Sequence, residues 1–321
     1  MKDILIQCII LNFNSARNTI RCLESLQNHR GPDQSIPIQL DTMIIDNGST
    51  DGSAAWIRTH RPGCNLIELK ENLGYSAGCN FGIKSSLGKN PDYYFFLNND
   101  ALVKPDTLSL LIETGQNRKE IGVLGPLLLT ALPGIIIESF GINCTWKTGR
   151  FFHSHFGQPL EKLSPDLLAR PFLEVDALSG CALLVKREVV EKIGGFDEEF
   201  FFYFEDADLC RRAQKAGFQT VLVPKAMVIH KGSSTISEID PTLRIYYGAR
   251  NQLLLFNRNE PYINPISRFA RDLNIIGLNL IFTIFRSKSP QSGAVPMLFK
   301  GIIDYYYKRF GKYHGSSSTC Q

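Results

Sequence analysis

Short apolar runs alternate with amphipathic stretches along the first 120 residues of the chain. Four of these runs are typical of buried strands: 4–11, 42–46, 65–69 and 93–98. Helical patterns follow them near 16–28, 51–60, 77–87 and 105–117. This alternation predicts an α/β fold whose mostly parallel central sheet is flanked by helices. The strand runs contain few polar residues, which indicates that both faces of the sheet are covered.

The strand pattern becomes less regular after residue 120. Strand-like runs cover 121–129 and 173–187, and the run 219–230 predicts two short strands. The polar and aromatic stretch 143–157 fits no element and is a candidate acceptor surface. A helix is predicted to begin near Glu205 and to end at Gly217, which is a suitable C-terminal cap.

The charge distribution divides the chain. Residues 241–321 carry eleven basic and three acidic side chains, a net charge of +8, so the first 240 residues sum to −4. With a change to helical patterning near residue 236, this predicts one domain over 1–235 and a basic, mainly helical extension over 236–321. Such a tail suits an anionic partner such as a membrane surface or a lipid-linked pyrophosphate. The alternative is a solvated helical face whose charges only keep the protein soluble.

Composition favours a globular, cytoplasmic protein with reduced thiols. Hydrophobic residues make up 44% of the 321 positions, and the eight cysteines are scattered without zinc-binding spacing. The N-terminus lacks the features of a signal peptide. The longest apolar stretch, 273–285, is shorter than the ~20 residues that span a bilayer. We therefore expect a cytoplasmic protein held peripherally at the inner face of the plasma membrane, with no nucleic-acid partner.

Polar residues follow each of the four predicted strands. They are NFNS, DNGSTDGS, ENLGYSAGCN and NND, in chain order. Ligands of open α/β sheets bind at the carboxyl ends of the strands, so these residues are the candidate site. Neither a G-x-G-x-x-G dinucleotide motif nor a P-loop follows the first strand.

Taken together, these motifs resemble glycosyltransferase family 2. The similarity covers about 4–235 and rests on IIDNGSTDGS, ENLGYSAGCNFGI, FFLNNDALVKPDTL and GGFDEEFFFYFEDADLCRRAQKAGF. It is closest to the rhamnosyltransferase-like branch, which YYGARNQLLLFNR in the tail also resembles. The resemblance implies a GT-A fold with a C-terminal helical extension, and an inverting transferase that uses a nucleoside diphosphate sugar.

The resemblance also implies a set of donor-binding residues. Asp46 is expected to accept a hydrogen bond from the N3–H of uracil or thymine. The alternative for Asp46 is a purely local turn, in which Asp and Asn side chains bond the nearby backbone. The full implied donor set is Asn12, Asn14, Asp46, Asn72, Gly74, Gly78, Asn80, Asn98, Asn99 and Asp100.

A divalent cation, Mg²⁺ or Mn²⁺, is the cofactor implied by the resemblance. Family members commonly carry Asp-x-Asp at the end of the fourth strand, where this chain has Asn98 in place of the first acid and retains Asp100. Hard cations prefer oxygen ligands and can bridge a protein to a diphosphate. His230 is the second implied ligand, and its alternative is a histidine satisfied at a strand end.

Three carboxylates follow the aromatic run Phe200–Phe204. Acidic residues in the first turn of a helix offset its macrodipole, and Asp208 can pair with an arginine three or four residues later. The resemblance assigns Asp206 as the general base. It leaves Glu205 to orient the acceptor or to begin the helix. It also implies that Gly180 and Phe204 contact the acceptor.

These residues predict transfer of a sugar, with rhamnose as a candidate, from dTDP or UDP to a hydroxyl of a glycan or lipid-linked glycan in cell-surface polysaccharide synthesis. Two alternatives remain open at this point. One is a sugar nucleotidyltransferase, although its glycine-rich, arginine-bearing loop is missing after the first strand. The other is a scaffold that binds sugar nucleotides or glycans without turnover.

Overall fold

A computed structural model describes residues 3–27, 37–130, 134–231, 240–260, 264–285 and 291–315. Its strands are β1 (Ile4–Asn12), β2 (Ile38–Asp46), β3 (Asn65–Glu68), β4 (Tyr93–Asn98), β5 (Ala101–Val103), β6 (Ile121–Thr130), β7 (Ile136–Ser139), β8 (Ile142–Thr145), β9 (Arg150–His153), β10 (Leu173–Glu174), β11 (Ala182–Lys186) and β12 (Gln219–His230).

Ten of these twelve strands form one large mixed sheet. Its order is β10-β12-β6-β11-β4-β1-β2-β3, with β5 paired to β12 and β7 to β6. Neighbours are parallel in four places: β1 with β2, β1 with β4, β2 with β3, and β6 with β12. Strand β11 runs antiparallel between β4 and β6. The predicted α/β class with a mostly parallel sheet is confirmed.

The helices are α1 (Ala16–Gln27), α2 (Ser53–His60), α3 (Gly74–Ser86), α4 (Thr107–Gln116), α5 (Pro165–Ala169), α6 (Arg187–Ile193), α7 (Glu205–Lys215), α8 (Pro241–Asn259), α9 (Pro265–Phe285) and α10 (Gln291–Tyr306). Helix α7 ends as predicted, because Gly217 adopts a φ of +93° and Phe218 N–H bonds the Ala213 carbonyl. Among the described helices, none combines the length and apolarity that a bilayer span requires. The seven cysteines within the described residues have free thiols.

Two strand predictions were wrong in their boundaries. Residues 219–230 form one strand rather than two, because the strand continues through Pro224 with a register shift against β6 between Val223 and Met227. The run 173–187 is interrupted between β10 and β11, where the Asp176 side chain turns away to accept the Cys144 N–H at 2.7 Å.

The unassigned stretch 143–157 contributes most of a hairpin, β8–β9. The hairpin packs on the C-terminal helices, since Phe151 packs edge-to-face against Phe256 with ring centroids 5.3 Å apart. Gln252 and Asn274 donate hydrogen bonds to carbonyl oxygens of the turn that joins the two strands. The hairpin is therefore a fixed layer between the helices and the loop before α7.

The C-terminal helices share the core of the sheet. One hydrophobic cluster joins Phe96 of β4 and Leu127 of β6 to Phe256 of α8 and Leu298 of α10. The predicted domain boundary near residue 236 lies outside the described residues, so the division into two domains stays a prediction.

Asp208 connects helix α7 to helix α8 by hydrogen bonds. Its carboxylate is fully buried and accepts hydrogen bonds from Arg212 Nε at 2.6 Å and from Asn259 Nδ2 at 2.9 Å. Arg212 in turn donates to the Ile193 and Gly195 carbonyls. The predicted pairing of Asp208 with an arginine is confirmed, and the structure adds that this pair is largely shielded from solvent.

We expect Asp208→Asn to lower the free energy of unfolding by about 1 to 3 kcal/mol, because an amide nitrogen would face a donor in a buried site. Urea unfolding measures this change. Glu113→Gln, at an exposed acid on α4, is the control and should change stability by less than about 0.5 kcal/mol. Equal midpoints for the two variants would contradict the role of Asp208.

Candidate active site

The ends of β1 and β2 are joined by buried side chains. Asn12 Nδ2 donates to Asp46 Oδ2 at 2.6 Å, and Ser49 supplies its N–H and hydroxyl to the two Asp46 oxygens at 2.9 and 2.7 Å. A carboxylate has about four acceptor positions, and these contacts use three of them. Asp46 therefore forms the local turn that its sequence suggests and keeps capacity for one further donor.

Asn14 extends this network toward solvent. Its N–H donates to Ser49 Oγ at 2.9 Å, and its Oδ1 accepts the Thr50 N–H at 2.9 Å. A cavity of about 360 Å³ opens beside it, with Asp51 and Trp56 in its lining. The structure thus brings Asn12, Asn14 and Asp46 together, as the sequence predicted.

Asn47 connects the end of β2 to the start of α3 and was missed by sequence reasoning. Its Nδ2 donates to Asn72 Oδ1 and to the Gly74 carbonyl, each at 3.1 Å. Gly48 has a φ of +75°, and a Cβ there would lie 2.4 Å from the Glu71 carbonyl carbon. The two loops can approach this closely because position 48 has no side chain.

Gly78 and Asn80 lie apart from these polar contacts. A Cβ on Gly78 would lie 2.5 Å from Leu11, so this glycine allows α3 to pack on β1. Asn80 binds the loop before α7, with its Nδ2 on the Phe196 carbonyl and its Oδ1 accepting the Phe196 N–H, each at 2.8 Å. Their donor-binding roles stay predictions, and the contacts described here are packing and loop-fixing contacts.

The residues at the end of β4 contact two groups: the polar network at the ends of β1 and β2, and His230 at the end of β12. Asn99 Nδ2 lies 3.4 Å from Asn12 Oδ1, and Asn98 N–H donates to the Cys181 carbonyl at 2.9 Å. Asp100 is buried, and its Oδ1 lies 3.0 Å from Nε2 of His230. Asp100 and His230 are therefore adjacent although 130 residues separate them.

Glu138 completes this group from β7. Its Oε1 lies 2.7 Å from Nδ1 of His230, a contact that fixes the orientation of the imidazole ring. Burial by itself lowers the pKa of His230, but the neighbouring Cys181, Asp100 and Glu138 raise it well above its ordinary value. Sequence reasoning missed Glu138, since it lies on a four-residue edge strand without a recognisable motif.

Asp100 and His230 fit a divalent cation as a partial ligand set. In the structure Asp100 Oδ1 and His230 Nε2 are joined by a hydrogen bond of 3.0 Å, so a bound cation would displace the proton between them. Within the described residues, no group of three or more His, Cys, Asp or Glu side chains could hold a metal ion. The remaining ligands would have to come from a diphosphate and water.

Asp206 contacts Gly180, two residues before strand β11 begins. Its Oδ2 accepts the Gly180 N–H at 2.7 Å, and its Oδ1 accepts the Ala207 N–H at 2.7 Å. The next residue after Gly180 is Cys181, whose carbonyl bonds Asn98 and whose thiol interacts with His230. Gly180 and Cys181, which are consecutive in the chain, thus connect Asp206 to the group around Asp100.

Glu205 and Asp206 differ in their surroundings although they are neighbours. Burial raises the pKa of both carboxyl groups, and the charge of Asp206 raises that of Glu205 further. The N–H groups of Gly180 and Ala207 donate to the Asp206 carboxylate and oppose the rise of its pKa. Among the described residues, the buried Glu205 Oε2 has no hydrogen-bond partner. Of the two carboxyl groups, Glu205 therefore holds a proton more readily, and Asp206 is more readily charged.

The loop that precedes Asp206 has a strained backbone. Phe201, Tyr203 and Phe204 have φ values of 53°, 70° and 71°, a region that side chains with a Cβ rarely occupy. Phe204 also contacts Phe151 of the hairpin, with ring centroids 5.1 Å apart. Gly180 lies against Asp206. The acceptor-binding roles assigned to Gly180 and Phe204 stay predictions.

Asn251 of helix α8 holds this loop in place. Its buried Nδ2 reaches the carbonyl oxygens of Phe200, Phe202 and Tyr203 at 2.7, 2.8 and 3.0 Å. The Asn251 Oδ1 accepts Arg250 Nε at 2.9 Å, which fixes the orientation of the amide. Three carbonyl groups in a strained loop therefore depend on one side chain from the C-terminal part of the chain.

Comparison with known proteins agrees with this geometry. The family model described as "Glycosyl transferase family 2" matches residues 7–128, and "Glycosyl transferase family group 2" matches residues 96–298. The N-acetylglucosaminyl-diphospho-decaprenol L-rhamnosyltransferase of Mycobacterium tuberculosis is 31% identical over 223 residues, 61% of this chain and 68% of that protein. The low-salt glycan biosynthesis hexosyltransferase Agl10 of Haloferax volcanii is 24% identical, over 85% of this chain and 81% of its own.

Solved structures share the fold. S. aureus TarS (residues 1–349) superimposes with a TM-score of 0.56 at 14% identity, over 94% of this chain and 80% of that one. The mannosyltransferase PcManGT from Pyrobaculum calidifontis, in complex with GDP-Man and Mn²⁺, gives a TM-score of 0.54 at 14% identity, over 96% and 89%.

The sheet, its polar strand ends and these matches define a GT-A glycosyltransferase that acts on nucleotide sugars. The chain belongs to glycosyltransferase family 2 and lies in its rhamnosyltransferase-like branch.

We expect Asn251→Ala to reduce the turnover number by about 100-fold with little change in donor affinity, because a displaced loop misplaces Asp206. Steady-state kinetics and donor calorimetry separate the two effects. Asn257→Ala is the matched control on the same helix, since Asn257 is also buried but bonds Asp272 rather than the loop. If both variants lose turnover equally, the effect is general destabilisation and Asn251 has no special positioning role.

Proposed function

We propose that this enzyme transfers a sugar, with rhamnose as the candidate, from a dTDP or UDP sugar to a hydroxyl group of a glycan or lipid-linked glycan, with inversion at the anomeric carbon. One observation carries the proposal. Asp206, held by the N–H of Gly180, lies beside the Cys181 segment that contacts Asn98 and His230. A base for the acceptor and a site for the leaving diphosphate are thus adjacent.

The proposed reaction is a single displacement. An Asp206 oxygen takes the proton of the acceptor hydroxyl while the hydroxyl oxygen attacks the anomeric carbon. The bond from the anomeric carbon to the diphosphate breaks on the opposite face, and the nucleoside diphosphate leaves with the electron pair. Glu205, in its protonated form, adds no second negative charge beside the base.

The donor would lie along the ends of β1, β2 and β4. Asp46 has one acceptor position left for the N3–H of a uracil or thymine ring, as the resemblance implies. Asp100 and His230 would hold a divalent cation, with Glu138 orienting the imidazole. When bound, such a cation offsets the negative charge that develops on the leaving diphosphate.

A lipid-linked acceptor would place the enzyme at a membrane surface. The rhamnosyltransferase relative is named for an acceptor on decaprenyl diphosphate, which supports this part of the proposal. The net charge of +8 over residues 241–321 also suits the anionic inner face of a plasma membrane.

Asp206→Asn tests the assignment of the base. It should lower nucleoside diphosphate release by about 10² to 10⁴-fold and leave donor binding intact, because an amide keeps the shape of the side chain but cannot take the proton. Glu205→Gln is the matched comparison. It imitates the protonated form of Glu205 and should retain most of the turnover. Loss of activity in Glu205→Gln with normal turnover in Asp206→Asn would reverse the two roles.

The pH profile gives a second measurement on the same base. Because burial raises the pKa of Asp206, its reactive, deprotonated form is lost at a higher pH than for an ordinary aspartate as the solution is acidified. Turnover in the native enzyme should therefore fall on the acidic side through that raised pKa. A profile that stays flat to the ordinary range of aspartate would contradict the buried base.

Removing Glu138 tests the cation site. Glu138→Gln should weaken Mn²⁺ binding about 10- to 100-fold, because the ring of His230 loses its orienting carboxylate. Mn²⁺ electron paramagnetic resonance with the nucleoside diphosphate bound measures affinity independently of turnover. Asp100→Asn should reduce it further, and Glu113→Gln should not change it. Full activity of the native enzyme in EDTA would rule out a role for the cation.

A further inference from the structure

Helix α9 carries an apolar stripe on its outer side. Five exposed large side chains recur at intervals of three, four, eight and three residues, which places them on one helical face; Phe282 and Phe285, also exposed, lie outside this row at the end of the helix. Their exposed fractions are 83% for Ile266, 64% for Phe269, 52% for Leu273, 57% for Ile281 and 42% for Ile284. Gly277 lies in the same row, so no polar residue interrupts the stripe.

The opposite face of α9 fixes the orientation of the helix. Arg271, Asp272, Ile275 and Thr283 are buried against the protein. Arg271 donates to Asn257 Oδ1 at 2.9 Å, which ties α9 to α8. The apolar stripe therefore cannot turn inward without breaking these contacts. Single exposed apolar residues are ordinary on protein surfaces, but a continuous row about 27 Å long at 1.5 Å per residue is not.

Positive charge borders the stripe. Phe269 lines a cavity with Lys308 and with Arg268, which lies on another face of α9; Glu199, paired with Arg258, and the buried Asp272 also line this cavity. Within the described residues 264–315, both acids, Asp272 and Asp304, are buried, and the most exposed ionic side chains are basic. An apolar face with a cationic border complements the acyl region and the headgroups of an anionic bilayer.

The structure also limits an explanation by charge alone. The predicted +8 includes Arg250 and Arg271, which are buried and bonded within the protein. Those two charges cannot meet a membrane surface. A second copy of the chain is a poorer occupant of this face, because Lys308 at its border would approach the like charge of its counterpart across an interface.

We propose that the outer face of α9 is a membrane-binding surface. The apolar stripe inserts among the acyl chains of one leaflet, with the helix parallel to the membrane, while Lys308 beside Phe269 lies at the headgroups. The proposal rests on the proposed function only in that a lipid-linked acceptor gives the enzyme a reason to be at a bilayer.

The test is sedimentation of the full-length protein with vesicles of phosphatidylcholine and phosphatidylglycerol. Leu273→Gln/Ile281→Gln should weaken binding about ten-fold or more. The matched control is Leu87→Gln/Ile135→Gln, which changes two side chains of similar exposure, 60% and 50%, outside α9. The control should bind as the native protein does. Equal binding by the stripe variant would overturn the proposal.

Vesicle binding at high salt and measurement of self-association distinguish membrane insertion from adsorption by charge and from dimer formation. Part of the native binding should persist at 1 M salt, where charge attraction is screened over ~3 Å. Complete loss at that salt would show adsorption by charge and contradict insertion. A native dimer in ultracentrifugation that the stripe variant dissociates, with vesicle binding unchanged, would assign the face to a second copy.

Catalysis is measured separately in the same variants. Asp206→Asn should bind vesicles normally, and the stripe variant should retain donor binding. Normal vesicle binding by the native protein, with no sugar transfer by that same native protein, would defeat the proposed function and leave the membrane surface standing. The reverse result would defeat only the membrane surface.

Discussion

The hydrogen bonds from the Asn251 amide to the carbonyl groups of Phe200, Phe202 and Tyr203 are the constraint on which the position of Asp206 depends. A loop with left-handed φ values at Phe201, Tyr203 and Phe204 costs free energy, on the order of 1 kcal/mol or more for each such residue. Buried hydrogen bonds offset this cost, and Arg250 prevents the amide from rotating. The N–H of Tyr75 in helix α3 also donates a hydrogen bond to the Phe201 carbonyl. The aromatic loop is thereby fixed between α3 and α8.

The same loop explains why two adjacent acids can have different tasks. Helix α7 begins immediately after Phe204, so the backbone direction at that point sends Glu205 into a buried position and Asp206 toward Gly180. Asp206 accepts backbone N–H groups of Gly180 and Ala207, whereas Glu205 has only a contact with its own backbone. Their separation in function follows from where the backbone N–H groups are placed, since the two side chains have the same ionisable group.

Local pattern and chain position explain what the sequence could predict. The strand ends converge because parallel strands place their carboxyl ends at one edge, and Asp208 finds Arg212 because the two lie one helical turn apart. Pro224 misled the prediction for β12, since a proline lacks an N–H but is tolerated where pairing shifts register. The contacts of Asn251 and Glu138 span 48 to 92 residues and have no local pattern. Only the tertiary structure reveals them.

The position of Asn251 along the chain has a consequence for synthesis. A ribosome has already produced β1, β2, β4 and the loop with Asp206 before it reaches α8, so the sheet and its polar strand ends can form first. The aromatic loop lacks its amide contact until helix α8 has left the ribosome and packed. A nascent chain that has not yet acquired α8 thus has the polar strand ends in place before the loop that carries Asp206, the proposed base, is fixed. The enzyme becomes competent only late in translation, when the segments on either side of the sheet have met.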